Sequence, residues 1–400
     1  MNIQQFMPVD IHDFTQLRNK NLIFADKSEC IFNLARQEQF VFLARPPMFG
    51  KSLLVSFLKN YFEGRRELFL GLKIACLEDA AKNPWTVYPV LSFNFTKFRN
   101  LAENSGTGPE AKSTAKPALS AKDEFLSQLR EQGEKLNFKV ESEDPSLALT
   151  SALKQMCSES QKPAVILFDD FLAPAFSSPE AASPAFSEQN KDNIDFLKTI
   201  TLTVKSAGSN LRFAFFTDSA NLSYTESFVY KDISLSPMYK DICGFTHADL
   251  TRYFAHEIAM LAATTAVAPQ TVLNHLLNNY GGYKFSPASK TTLYNPYDLI
   301  RLFGEYKWNH FWVSSIHKRT AKPFIVTDNI SLIKKIPMME FSRKDFLSFR
   351  AGKTNLLPFL YSTGIISIKE YNAASEKFRL DFPNQETRDF FTRIVFSANK

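Results

Sequence analysis

The sequence predicts an α/β fold, with a parallel sheet sandwiched by helices and a mostly helical C-terminal half. Three observations predict it. Short apolar runs alternate with helix-like stretches from about position 39 to 216, a Gly-Lys-Ser tripeptide stands between one such run and the helix after it, and another run ends in two acids. Runs that are apolar throughout belong to strands buried on both faces, and alternation with helices makes their sheet parallel.

The elements follow in order. Gln39 to Ala44 is a short apolar run, and a helix-like stretch from Lys51 to Phe62 comes after it. Tyr88 to Phe95 is β-rich, and helical patterns occupy Lys122 to Leu136 and Pro145 to Ser158. Ala164 to Phe168 reads as a buried strand, Asn193 to Ser206 as a helix, and Arg212 to Phe216 as a further strand. Two segments rich in Ser, Pro, Ala and Gly or Glu, about 102–121 and 177–190, lack the periodicity to bury a face and are expected as inserted loops. Beyond about Ser234, Thr246 opens a helix with Asp249 at capping-box spacing, and helical patterns run on to about Leu302. Near the end come a helix from Asn355 to Ser362, strands from Ile365 to Tyr371 and Lys377 to Phe382, and a helix from about Gln385. Helix, hairpin, helix is compatible with a winged-helix-like module and with other small folds.

Arg45-Pro46-Pro47-Met48-Phe49-Gly50-Lys51-Ser52 lies between a buried-type strand and a helix, where a phosphate-binding loop belongs. A helix N-terminus offers N–H groups and a positive dipole end to an anion. Gly50 permits close backbone approach, Lys51 carries the charge for β- and γ-phosphates, and Ser52 presents a hydroxyl to Mg²⁺. Arg45 stands where that motif has its first glycine, so an incidental helix start remains the bland alternative. Asp169-Asp170 closes the strand ending at Phe168. The first acid is placed to hold Mg²⁺ through water and the second to orient an attacking water. A pair of acids capping a strand–loop junction is the alternative there.

Other chemistries are poorly supported. Net charge is +6 over 400 residues, with Arg65-Arg66 and Lys334-Lys335 the noticeable basic pairs, which suits solvated helix faces better than a nucleic-acid groove. Four separated cysteines form no C-x-x-C, and six histidines show no metal spacing, which argues against zinc and a disulfide framework and fits a reducing cytoplasm. Neither a signal peptide nor a membrane-spanning run is apparent. The 39 phenylalanines, the aromatic stretch Tyr280 to Phe285, and Trp308, Phe311 and Trp312 read as core packing.

These residues resemble bacterial AAA-ATPase-like proteins, a P-loop family often fused to a PD-(D/E)XK nuclease domain, and the similarity covers nearly the whole chain. Phe24-Ala25-Asp26-Lys27-Ser28 is similar to the family's Tyr-Val-Asp-Lys-Thr, and Arg45-Pro46 with Phe49-Gly50-Lys51-Ser52-Leu53-Leu54 to its Arg-Pro-Arg-Arg-Phe-Gly-Lys-Ser-Leu-Leu. Tyr61 to Gly64, Glu67 to Phe69, Asp232 to Pro237, Cys243 to Thr246, Tyr280 to Phe285, Tyr294-Asn295-Pro296 and Pro383-Asn384 follow the family's later elements in order.

The resemblance implies a nucleotide-binding domain over 1–240, a helical lid over 241–340 and a winged-helix-like module over 341–400, with no room for the nuclease part. It implies ATP as ligand with Mg²⁺, a nucleotide loop of Arg45, Phe49, Gly50, Lys51, Ser52 and Leu53, metal held by Ser52 and Asp169, and Asp170 as the catalytic acid. Four departures bear on activity. Pro47 and Met48 replace two family arginines, Asp170 is a methylene shorter than the family glutamate, Leu172 replaces a further acid, and Asn221 stands where a basic residue follows the fourth strand. The expectation is ATP binding with weak or absent hydrolysis. The alternative is a non-enzymatic scaffold on a degenerate ATPase fold that binds a protein, or a nucleic acid on weaker grounds.

Overall fold

A computed structural model describes residues 7–98, 120–176, 188–220, 228–312, 327–347, 349 and 356–398. Five strands form a wholly parallel sheet: β1 (Phe40–Ala44), β2 (Val90–Asn94), β3 (Ala164–Asp169), β4 (Leu211–Asp218) and β5 (Lys231–Asp232). Their spatial order is β2-β3-β4-β1-β5, so β1 lies between β4 and β5, far from the strand that follows it in sequence. Ala44 pairs with Asp218 and Phe168 with Phe216, which brings β1, β3 and β4 to an end along one edge.

Alternate residues of each strand feed opposite cores, as the two-residue repeat of a strand requires. Phe42, Ile166, Phe168, Ala214 and Phe216 join a cluster with the helices α5 (Ala121–Leu136), α6 (Pro145–Ser160) and α7 (Glu188–Ser206). Val41, Leu43, Val165, Leu167, Phe213 and Phe215 join one with α1 (Phe14–Asn19), α2 (Ser28–Gln37), α3 (Lys51–Phe62) and α4 (Lys73–Asp79). Phenylalanine is the mortar of the first face. Phe93 stacks on Phe168, and Phe168 on Phe216, each at 4.9 Å between ring centroids. Such pairs add about 0.5–1.5 kcal/mol each beyond the area they bury.

The C-terminal half carries α8 (His247–Tyr253), α9 (Ala255–Thr265), α10 (Pro269–Tyr280) and α11 (Pro296–Glu305), whose apolar faces share a third cluster. The expected long helical run is thus four helices, broken where Phe254, Ala266 to Ala268 and residues 281–295 intervene. Thr246 caps α8 through Asp249 in a reciprocal capping box, as its sequence predicts. The same Asp249 carboxylate pairs with Lys27, which ties the N-terminal segment to this helix. After α12 (Thr327–Lys335), β6 (Glu340–Phe341), β7 (Ser367–Asn372) and β8 (Lys377–Asp381) form an antiparallel sheet in the order β6-β8-β7. Helices α13 (Arg343–Leu347) and α14 (Leu356–Ser362) precede the β7–β8 hairpin, and α15 (Gln385–Ala398) follows it.

The insertions end earlier than composition suggests. Ser120 caps α5, which begins at Ala121, and Glu188 to Asn190 already belong to α7. The remainder of both segments lies outside the described residues, as does Asn221. Among the described residues no helix is long and apolar enough to cross a membrane.

Candidate phosphate site at the carboxyl edge of the sheet

The segment 45–50 turns β1 into α3. Two residues of it, Met48 (φ 65°) and Gly50 (φ 91°), adopt left-handed backbone, and Gly50 is the N-cap of α3. Glycine suits that position because it adopts positive φ without a Cβ penalty. No side chain caps the helix start. The first turn of a helix has backbone N–H groups without intrahelical acceptors, and here they open at the edge where β1, β3 and β4 end.

Lys51, in that first turn, is buried. Its ammonium donates to the carbonyls of Arg45 and Pro46, both at 3.0 Å, and to the Ser219 hydroxyl at 3.2 Å. The loop is therefore curled around the charge. Ser52 and Leu53 beside it are half-buried. Phe49 points away from the open edge, into the core, packed edge-on against Tyr283 at 4.8 Å and Phe285 at 5.4 Å.

Arg45 also turns inward. It is 1% exposed, and its guanidinium donates to the carbonyls of Ala44, Ser234 and Tyr239, each at 2.8 Å. The same group lies over the Phe285 ring at 4.4 Å. Of the loop residues that the sequence singles out, Arg45 and Phe49 thus commit their side chains to the protein. Gly50 is exposed and Ser52 half-buried at the helix start, while Lys51 is buried behind the loop.

Asp169 ends β3, with one carboxylate oxygen accepting from the Asn94 side-chain amide at 3.2 Å. Asp170 follows in left-handed backbone (φ 51°), and its carboxylate accepts from the Thr96 hydroxyl at 2.9 Å. A non-glycine residue at positive φ is uncommon and costs conformational energy, so the surrounding bonds hold Asp170 in place.

Three side chains at this edge escape the motif-based reading. Asn94, the last residue of β2, and Thr96 just beyond it carry the hydrogen bonds just described. Asp218 ends β4 and is fully buried. Its carboxylate accepts from the backbone N–H groups of Ser219 (2.5 Å), Ala220 (3.2 Å) and Leu172 (2.8 Å). That carboxylate ties the turn after β3 to the turn after β4. The signal available in the sequence was modest: an acid following an apolar strand, at Asp218 as at Asp169.

A group of three or more His, Cys, Asp or Glu able to hold a metal by protein ligands alone is absent among the described residues. A Mg²⁺ ion in a nucleotide site uses one or two carboxylates plus phosphate oxygens and waters, so Ser52 and Asp169 suit the smaller protein share.

Comparison with known proteins adds two findings. A family model described as Predicted AAA-ATPase matches residues 8–226. An uncharacterized protein in the vnfD 5' region of Azotobacter chroococcum mcd 1 is 23% identical over 393 residues, spanning 96% of this chain and 68% of that protein.

Proposed function

The chain belongs to the predicted AAA-ATPase family, and on that premise we propose that it binds ATP with Mg²⁺ at the 45–52 loop and turns it over slowly or not at all. The observation that carries the reading is the seating of Lys51. A buried ammonium at the uncapped start of a twelve-residue helix, held by the Arg45 and Pro46 carbonyls and the Ser219 hydroxyl, supports a positive site for phosphate, which would take over one of those three bonds on binding. Backbone N–H groups at 50–53 and the Lys51 ammonium bind the phosphates. Ser52 and Asp169 hold the metal, and Asp170 orients water. Bound Mg²⁺ supplies charge neutralisation across the phosphate oxygens.

Slow turnover has its own support. Pro47 lacks the N–H that another residue would bring, and Met48, 40% exposed on the loop, brings no charge. The Asp170 carboxylate is engaged by Thr96. A positive charge missing near a transferring phosphoryl group costs several kcal/mol of transition-state stabilisation. We retain the three-part division at about 240 and 340 as part of the proposal, with a cytoplasmic location.

A second reading, a scaffold without turnover whose C-terminal half binds a protein, draws on the contacts of Arg45 and Phe49 with that half. Calorimetric titration with ATP, with and without Mg²⁺, tests the main reading. Saturable binding strengthened by Mg²⁺ supports it, and the absence of heat in both conditions removes it.

A further inference from the structure

Arg45 is the residue whose sequence position and structural surroundings disagree most. Its place at the head of a nucleotide loop suggests a hand on phosphate, yet its guanidinium faces the other way. Three of its N–H groups reach carbonyls, one on the neighbouring residue Ala44 and two on a distant segment, Ser234 and Tyr239 in the stretch after β5. Its planar face covers Phe285 in the turn region after α10. Among the described residues no carboxylate hydrogen-bonds to it, and burial pulls its pKa below the ordinary value for arginine.

The backbone of the same residue faces the phosphate side. Its N–H donates to the Asp218 carbonyl at 3.1 Å, and its carbonyl receives the Lys51 ammonium at 3.0 Å. The next residue, Pro46, gives Lys51 its second carbonyl and packs against Gly364, where an added Cβ would stand 3.0 Å from the proline ring. One residue therefore joins the Lys51 cradle on one side to the C-terminal half on the other. A buried cation bonded to neutral carbonyls alone is costly to maintain unless its geometry is needed, because desolvation is offset only by those bonds and the ring face.

We propose that Arg45 is a positioning residue, which fixes the carbonyls that aim the Lys51 ammonium by anchoring the loop to Ser234, Tyr239 and Phe285, and which does not touch the nucleotide. The inference rests on the ATP-binding reading for its consequence, but the hold on Lys51 is measurable without any nucleotide. Lysine reactivity reads it directly. In the full chain, acetylation of Lys51 by a small amine-reactive reagent, followed by mass spectrometry, is slow compared with exposed lysines. Arg45→Met, which keeps the length of the side chain and loses the fork, raises the Lys51 rate severalfold while Lys59 and Lys73 keep theirs.

The nucleotide arm uses a double-mutant cycle titrated to millimolar ATP. Arg45→Met weakens ATP binding about tenfold in the wild-type background and leaves it unchanged in the Lys51→Ala background, the non-additivity of two residues acting through one contact. Phe285→Leu serves where Arg45→Met does not fold. It leaves all three guanidinium bonds and removes the ring face, for a loss of roughly threefold with the same non-additivity. Unchanged Lys51 reactivity in both variants overturns the proposal, and so do additive losses in the cycle, which place Arg45 on the ligand itself. If wild type binds no ATP while Lys51 still becomes reactive in the variants, the ATP reading fails and the positioning role stands.

Discussion

Of the regions where this protein buries carboxylates, two do so in different ways. At the carboxyl edge of the sheet, Asp169, Asp170 and Asp218 are buried, and each accepts from groups at or just past the strand ends. In the C-terminal half, Asp298 in the first turn of α11 and Glu386 in the first turn of α15 are both fully buried. Asp298 accepts from the Trp312 N–H at 2.7 Å. Close by, the Asn384 amide donates to the Gly281 carbonyl at 2.9 Å and docks the start of α15 onto the end of α10.

The protonation of the second region follows from that setting. Burial pushes Asp298 up to about 7, while the Trp312 N–H and a hydrogen bond with Glu386 pull it back. Two acids sealed together are best accommodated when one keeps its proton. The contrast teaches how to read buried charge here. At the strand ends, beside an uncapped helix start, it ties neighbouring turns together by accepting from nearby donors. In a sealed seam, the same residue types hold helices together and carry a pH dependence.

The largest effect is expected from breaking the edge. Asp218→Ala strands the buried N–H groups of Ser219, Ala220 and Leu172, at roughly 1–3 kcal/mol for a buried donor left unmade, so about 3 kcal/mol in all is expected. Denaturant unfolding of the variant measures it. A loss below about 0.5 kcal/mol, the range of ordinary surface changes, would show that this carboxylate is not the tie between the two turns.

Breaking the seam gives a smaller effect with a pH signature. An Asp in the unfolded chain releases its proton near 3.8, whereas folded Asp298 holds it to about 7. The folded form then binds more protons between those limits, so its stability falls as pH rises from about 4 to 7. Asp298→Asn should flatten that slope and make the variant more stable than wild type at pH 8. Melting curves across this range decide it. An unchanged slope in the variant would assign the pH dependence to other groups.

The smallest effect sharpens the edge. Asp170 reaches about 1.3 Å less far than a glutamate. Asp170→Glu should raise ATP turnover about tenfold if reach limits the rate, since misplacement on the scale of an ångström costs up to a hundredfold. Phosphate release under saturating ATP and Mg²⁺ reads this. A flat response would shift the fault to the missing charges at Pro47 and Met48.

Much of the sheet was legible because β1 is apolar throughout and β3 and β4 are apolar over most of their length, and α3 begins and ends where its pattern predicts. β5 was not. Lys231–Asp232 is two polar residues long, and only its pairing with β1 makes it a strand. β6, equally short, gains its place from β8. At the site, strand-end position and residue type pointed to Lys51, Asp169 and Asp170. The direction of the Arg45 side chain was not legible, because adjacency in sequence says nothing of it. Its acceptors at Ser234 and Tyr239 are backbone atoms some 190 positions away, which no local pattern encodes. Asp218 escaped notice for a related reason: a carboxylate serving backbone N–H groups has no motif.

The account turns on Lys51 as the phosphate-binding charge. Its most direct test is the ATP-induced rise in thermal stability of wild type and Lys51→Ala, measured with Mg²⁺ at matched ligand concentration. Ligand at a hundredfold excess over its dissociation constant stabilises the folded state by about 2.7 kcal/mol. The account predicts a clear upward shift in wild type and none in Lys51→Ala. Equal shifts in the two proteins would contradict it and move the nucleotide away from this loop.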